Sequence, residues 1–150
     1  MAKWLIKSEP DSYSIEQLEL DKKSCWDGVR NYQARNFLQS MKVGDEILFY
    51  HSSIEPIGVF GIAKVVKTAY PELSQFNPKH EYYDPKSPKD KPRWYSPDIA
   101  FVKHFKNYVP LSALRKEKAL KNMQLLQKGS RLSVQPVTEE EFKKIVELGK

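Results

Sequence analysis

Gly44–Val66 reads GDEILFYHSSIEPIGVFGIAKVV, and this stretch decides what kind of sheet the chain can build. Val43-Gly44-Asp45 is a stop-and-turn signal. Glu46–Ser52 (EILFYHS) follows as a strand and Ile57–Val66 (IGVFGIAKVV) as another, joined by a turn around Glu55-Pro56. Gly58 and Gly61 interrupt the second strand. A glycine there weakens pairing unless the strand bends or is closely approached, which suits a small closed barrel.

Working outward, Lys3–Ser8 (KWLIKS) is a strand ended by Glu9-Pro10-Asp11. Ile99–Phe105 alternates in a further strand, and Arg131–Gln135 is a last one stopped by Pro136. Helices lie between them. Ser14 with Gln17 caps SIEQLEL, Asn31 caps YQARNFLQSM, and Thr138 with Glu141 caps TEEEFKKIVEL. Leu111–Leu126 carries short helices that end near Gly129. Strands and helices do not alternate in a βαβ pattern, so a doubly wound parallel sheet is not expected. The expected class is α+β, a mainly antiparallel β-barrel with peripheral short helices, in one domain over residues 1–150.

Composition narrows the function classes. With 40% hydrophobic residues the chain can build a core, and no apolar run approaches the roughly 20 residues that cross a bilayer, so no membrane partner is expected. Cys25 is alone, which excludes an internal disulfide and a cysteine-rich zinc site. The opening MAKWLIKSEP lacks the features of a secretory leader, so an intracellular protein is expected. Residues 1–60 carry a net charge of −2 and residues 61–150 a net charge of +8. A basic half favours polyanions, although it also serves simple solubility. Six of the ten prolines fall between Pro71 and Pro97 among many lysines, a long surface loop.

Catalytic signatures are missing: there is no phosphate loop, dinucleotide fingerprint or nucleophile elbow. His51, His80 and His104 are scattered, so no metal and no cofactor are expected. Cys25 is a nucleophile only with a histidine beside it; otherwise it is a small buried thiol. Glu139 and Glu141 suit the first turn of a helix.

The segment Cys25–Asn36, CWDGVRNYQARN, is different. It sets Trp26 before the Asp27-Gly28 turn and surrounds it with amides and guanidinium groups. A planar heterocycle needs such surroundings, a face to stack on and fixed donors and acceptors at its edge. The plainer reading makes Trp26 a core indole, Asp27-Gly28 a turn, Asn31 a helix cap and Arg35 a solvated charge. Two smaller candidates stand beside it. His51-Ser52 ends a strand at a pocket mouth or is a satisfied surface pair. Trp94, after Arg93, is a second aromatic wall or a plug in the barrel end.

KSEP (Lys7–Pro10), WDGVRNYQARN (Trp26–Asn36), GDEILFYHS (Gly44–Ser52), AYPELSQF (Ala69–Phe76), YYDPKS (Tyr82–Ser87), PRW (Pro92–Trp94) and RLSVQPV (Arg131–Val137) occur in order from end to end. Together they closely resemble the EVE domain. The resemblance implies a PUA-like barrel, related to the YTH domains that read methylated adenine in RNA. It implies a non-catalytic pocket for a modified nucleobase, a modified cytosine or a similar base, in DNA or RNA. By that analogy Trp26 is one wall of an aromatic cage and Lys7 and Ser8 line the pocket base. Asp27, Gly28, Asn31 and Tyr32 contact the base edge or shape the rim, with Arg35, His51, Ser52 and Trp94 as further members. Lys86, Lys89, Lys91 and Arg93 of the basic loop are expected to hold the phosphate backbone. The expected form is a monomer that acts with any effector as a separate protein. Without the basic N-terminal extension of the family's nuclear member, a cytoplasmic location is expected. The rival reading is a nucleic-acid-processing enzyme, such as a nuclease using His51; a third, a protein-binding adaptor, calls for a large exposed apolar patch.

Overall fold

The computed structural model describes residues 1–150. In chain order the elements are β1 (Lys3–Ser8), α1 (Ile15–Asp21), β2 (Lys23–Cys25), α2 (Tyr32–Ser40), β3 (Glu46–His51) and β4 (Gly58–Pro71). They are followed by β5 (Tyr95–Pro110), α3 (Leu111–Lys116), β6 (Val134–Val137) and α4 (Glu139–Leu148). The six strands form one sheet in the order β2-β5-β4-β3-β1-β6.

Four of the five pairings are antiparallel; β1 and β3 run parallel, with Lys3 opposite Glu46 and Ser8 opposite His51. The expected α+β, mainly antiparallel class therefore holds, while the ladder stays open between β2 and β6 instead of closing into a barrel. Both ends are poor templates for further pairing. β2 has three residues, and Pro136 lies within β6, where a missing N–H is tolerated at an edge. The last strand thus runs through the proline expected to stop it.

The long central pair β4–β5 extends well beyond the expected boundaries and carries four register shifts. Each shift bends the ladder locally. Gly61 shows why a side chain is excluded there: a Cβ would lie 2.3 Å from the Lys103 carbonyl oxygen and 2.4 Å from Ile15 Cδ1.

Alternation along the strands sends apolar side chains to both faces. Leu5, Leu48, Ile62 and Val109 join α3 and α4 in one core cluster; Trp4, Ile6, Ile47, Phe49 and Val65 join α1 and α2 in the other. Each fully buried leucine or isoleucine contributes about 1.5–3 kcal/mol relative to exposure. The α2 stripe Ala34, Leu38 and Met41 is fully covered, which anchors the segment that precedes it.

The stretch between Pro71 and Pro97 is ordered by its own polar centre. Gln75 is completely buried, and its amide nitrogen donates to the carbonyls of Glu72 (2.7 Å) and Trp94 (2.8 Å). Its Oε1 accepts from Ser87 Oγ (2.6 Å) and the Trp94 N–H (3.1 Å). One side chain thus ties the beginning, middle and end of the loop together.

Candidate nucleic-acid interface

A cavity of about 490 Å³ opens where β1 and β2 end. Lys7 and Ser8 enter it from β1, Glu9, Ser12 and Tyr13 from the turn before α1, Ser24 and Cys25 from β2, and Trp26–Arg30 from the segment that follows; His80–Tyr82 and Ser133 complete the rim. Of the residues singled out from the sequence, Lys7, Ser8, Trp26, Asp27 and Gly28 meet here.

Trp26 is half-buried, its main-chain N–H held by the Pro97 carbonyl at 2.9 Å. Tyr13 and Phe49 meet its ring edge-on, with centroids 5.8 and 5.6 Å away, and these contacts fix the tilt of the indole. Lys7 is half-buried with no carboxylate within salt-bridge distance, and desolvation holds its amine below the ordinary lysine range. The carboxyl of Asp27 is pushed up, first by burial and then by the neighbouring Glu72 charge. Burial also pushes the Cys25 thiol up, away from thiolate chemistry; its Sγ lies 3.0 Å from Ser96 Oγ.

Glu72 organises the turn from beneath. It is 1% exposed and accepts from the Gly28 N–H (3.1 Å), Ser74 Oγ (3.2 Å) and the Arg30 guanidinium. Ser74 Oγ also reaches Asp27 (3.2 Å). Gly28 adopts a positive φ of 84°, which its turn requires and which few other residues accept. Glu72, Arg30 and Tyr82 are not singled out by the sequence. Glu72 stands 44 residues from Gly28, and no local pattern connects them.

The other expected site residues lie outside the cavity lining. Asn31 caps α2, its side chain accepting from the Ala34 N–H at 2.9 Å. Tyr32 stacks on Trp94 with centroids 5.0 Å apart, and the Arg35 guanidinium lies 4.8 Å over the Tyr32 ring while donating to the Arg93 carbonyl. Trp94 is buried, and its Nε1 donates to Asp84 at 2.6 Å. That bond holds the Asp84 carboxyl below its usual range.

His51 is buried against Phe60 at 4.3 Å and accepts from the Ile15 N–H, while the Ser52 N–H donates to the Ser8 carbonyl. Lys86, Lys89 and Lys91 are exposed on the loop and Arg93 is half-buried. No group of three or more His, Cys, Asp or Glu side chains is placed to hold a metal ion, and no helix is long and apolar enough to cross a membrane.

Comparisons with known proteins match the whole of this architecture. The EVE domain family model covers residues 2–148. Human thymocyte nuclear protein 1 is 46% identical over 164 residues, spanning 97% of this chain and 72% of that protein. A crystal structure of a Pseudomonas syringae protein has 50% identity and a TM-score of 0.96 over 99% of this chain and all of the other. A crystal structure of the human THYN1 protein in complex with 5-methylcytosine-containing DNA has 43% identity and a TM-score of 0.95, covering all of this chain and 98% of that one. The cytoplasmic location expected above does not stand, because the human relative and its mouse counterpart are both named as nuclear proteins. The chain belongs to the EVE domain family.

Proposed function

We propose that this protein is a non-catalytic reader of a modified cytosine in DNA, with the base turned out of its stack and received by the cavity beside Trp26. The observation that carries the reading is the meeting of an aromatic wall, an unpaired lysine and a carboxyl group in one cavity of about 490 Å³. The solved complex of a 43% identical relative with 5-methylcytosine-containing DNA supports the choice of ligand.

The chemistry of cytosine fits these groups. Its exocyclic amine is a donor that calls for an acceptor such as the Asp27 carboxyl, a contact type worth about 1–3 kcal/mol of discrimination. Stacking on Trp26 adds about 1–3 kcal/mol. Together they offset the few kcal/mol that turning a base out costs. Lys86, Lys89, Lys91 and Arg93 then hold the backbone, which positions the strand without reading it. The protein acts as a monomer, with any effector a separate protein.

The test is binding to DNA and RNA oligonucleotides, single- and double-stranded, each with one modified base. Trp26→Ala is expected to lower the preference for the modified base about tenfold or more. An unchanged preference in that variant removes Trp26 from the site, and equal affinity of the wild type for every oligonucleotide removes the reader function itself.

A further inference from the structure

The cavity has an aromatic contributor that no local sequence pattern announces. Tyr82 lines it from the 77–93 loop, whereas Trp94, the expected second wall, is buried elsewhere against Tyr32. We propose that the Tyr82 ring is the second aromatic wall of the cavity and sets how selectively a base is held; this rests on the reading of the cavity as a base site.

The packing of Tyr82 is unlike that of a core residue. Its ring lies against the bare Gly28 backbone, where an added Cβ would stand 2.4 Å from Cζ and 2.6 Å from Cε2. It belongs to neither core cluster, and its hydroxyl makes no hydrogen bond within the protein. Tyr13, the other tyrosine of the lining, differs on both counts: it packs on the core around α1 and α2, and its hydroxyl donates to Asp21.

Two devices hold Tyr82 in place from outside the core. The Arg30 guanidinium sits between two rings, 5.7 Å from the Tyr82 centroid and 4.9 Å from that of Trp94. It donates to the Tyr82 carbonyl and to the buried Glu72 carboxylate, so the ring is referenced to the same acid that shapes the Gly28 turn. The Tyr82 N–H also donates to His80 Nδ1 at 3.1 Å, with the two rings 5.3 Å apart. Glycine at position 28 and arginine at position 30 thereby fix the ring at the cavity edge and leave its hydroxyl free. A ring so held serves stacking on the inserted base, and loss of its π face leaves binding to the backbone interactions, which do not distinguish one base from another.

The experiment uses the whole protein with duplex and single-stranded DNA carrying one 5-methylcytosine or one cytosine, over a salt series. Tyr82→Ala is expected to reduce the ratio of the two affinities about tenfold. The slope of log affinity on log salt should stay as in the wild type, because the basic loop still meets the phosphates. Tyr82→Phe should restore the ratio that Tyr82→Ala removes. A wild-type ratio in Tyr82→Ala beside an abolished ratio in Trp26→Ala overturns the proposal while leaving the base reading intact. A fall in ratio and salt slope together also overturns it, since the basic loop has then moved and Tyr82 is a structural support. No discrimination by the wild type overturns both readings at once.

Discussion

At Ile15 the backbone N–H of the first residue of α1 donates to His51 Nε2 at 3.1 Å. The lone pair that a general base would use is therefore engaged in holding a helix start to the end of β3. Burial keeps the imidazole below its ordinary value of 6.5. Between that lowered value and 6.5 the unfolded chain binds a proton that the folded chain does not, so the stabilising contribution is complete above 6.5 and is lost as pH falls through the lowered value. His51→Ala is expected to cost about 1–3 kcal/mol in urea unfolding, because the Ile15 N–H loses its partner. It should also flatten the acid side of the stability profile. Unchanged stability and an unchanged profile would show that His51 does not carry this load.

At the scale of elements, the 72–94 loop brings His80–Tyr82 to the cavity, and α2 anchors the Trp26–Arg30 segment that precedes it. α2 is anchored by Ala34, Leu38 and Met41 and started by the Asn31 cap. Asn31→Ala is expected to lower stability by about 0.5–2 kcal/mol in chemical denaturation. The same variant is expected to leave the preference for a modified base at the wild-type value; disappearance of the preference would return Asn31 to the base edge. The strand and helix periods, the caps and the apolar stripe were legible because each depends on neighbours within one or two turns. Their extents were less so. β4 and β5 continue to Pro71 and Pro110 through register shifts that depend on the partner strand. The three-residue β2 has no apolar alternation of its own to announce it; it exists because β5 lies beside it.

For the molecule as a whole, the net charge of +6 is concentrated beyond residue 60, and Lys86, Lys89 and Lys91 stand in solvent on the loop that also carries Tyr82. Replacing Lys86, Lys89, Lys91 and Arg93 by glutamine should weaken DNA binding and lower the salt slope by about 0.9 for each phosphate of duplex DNA that is no longer neutralised. The ratio between modified and unmodified base should remain, since backbone interactions position the strand and base interactions specify it. A changed ratio with an unchanged slope would reverse the division of labour between loop and cavity.

The amino-acid sequence by itself determined the α+β class, the helix caps, the basic loop and the presence of Trp26, Asp27 and Gly28 in one short segment. Each of these rests on local periodicity, on backbone chemistry or on residues adjacent in the chain. The tertiary structure alone decided which of the remaining polar and aromatic residues face the cavity. Trp94 went to Tyr32 and Asp84 and His51 to Ile15, while Glu72, Arg30 and Tyr82 came together around Gly28. The reason is physical: a buried carboxylate needs donors and a ring needs a surface, and both are supplied by whatever the folded chain brings near, at any distance in sequence.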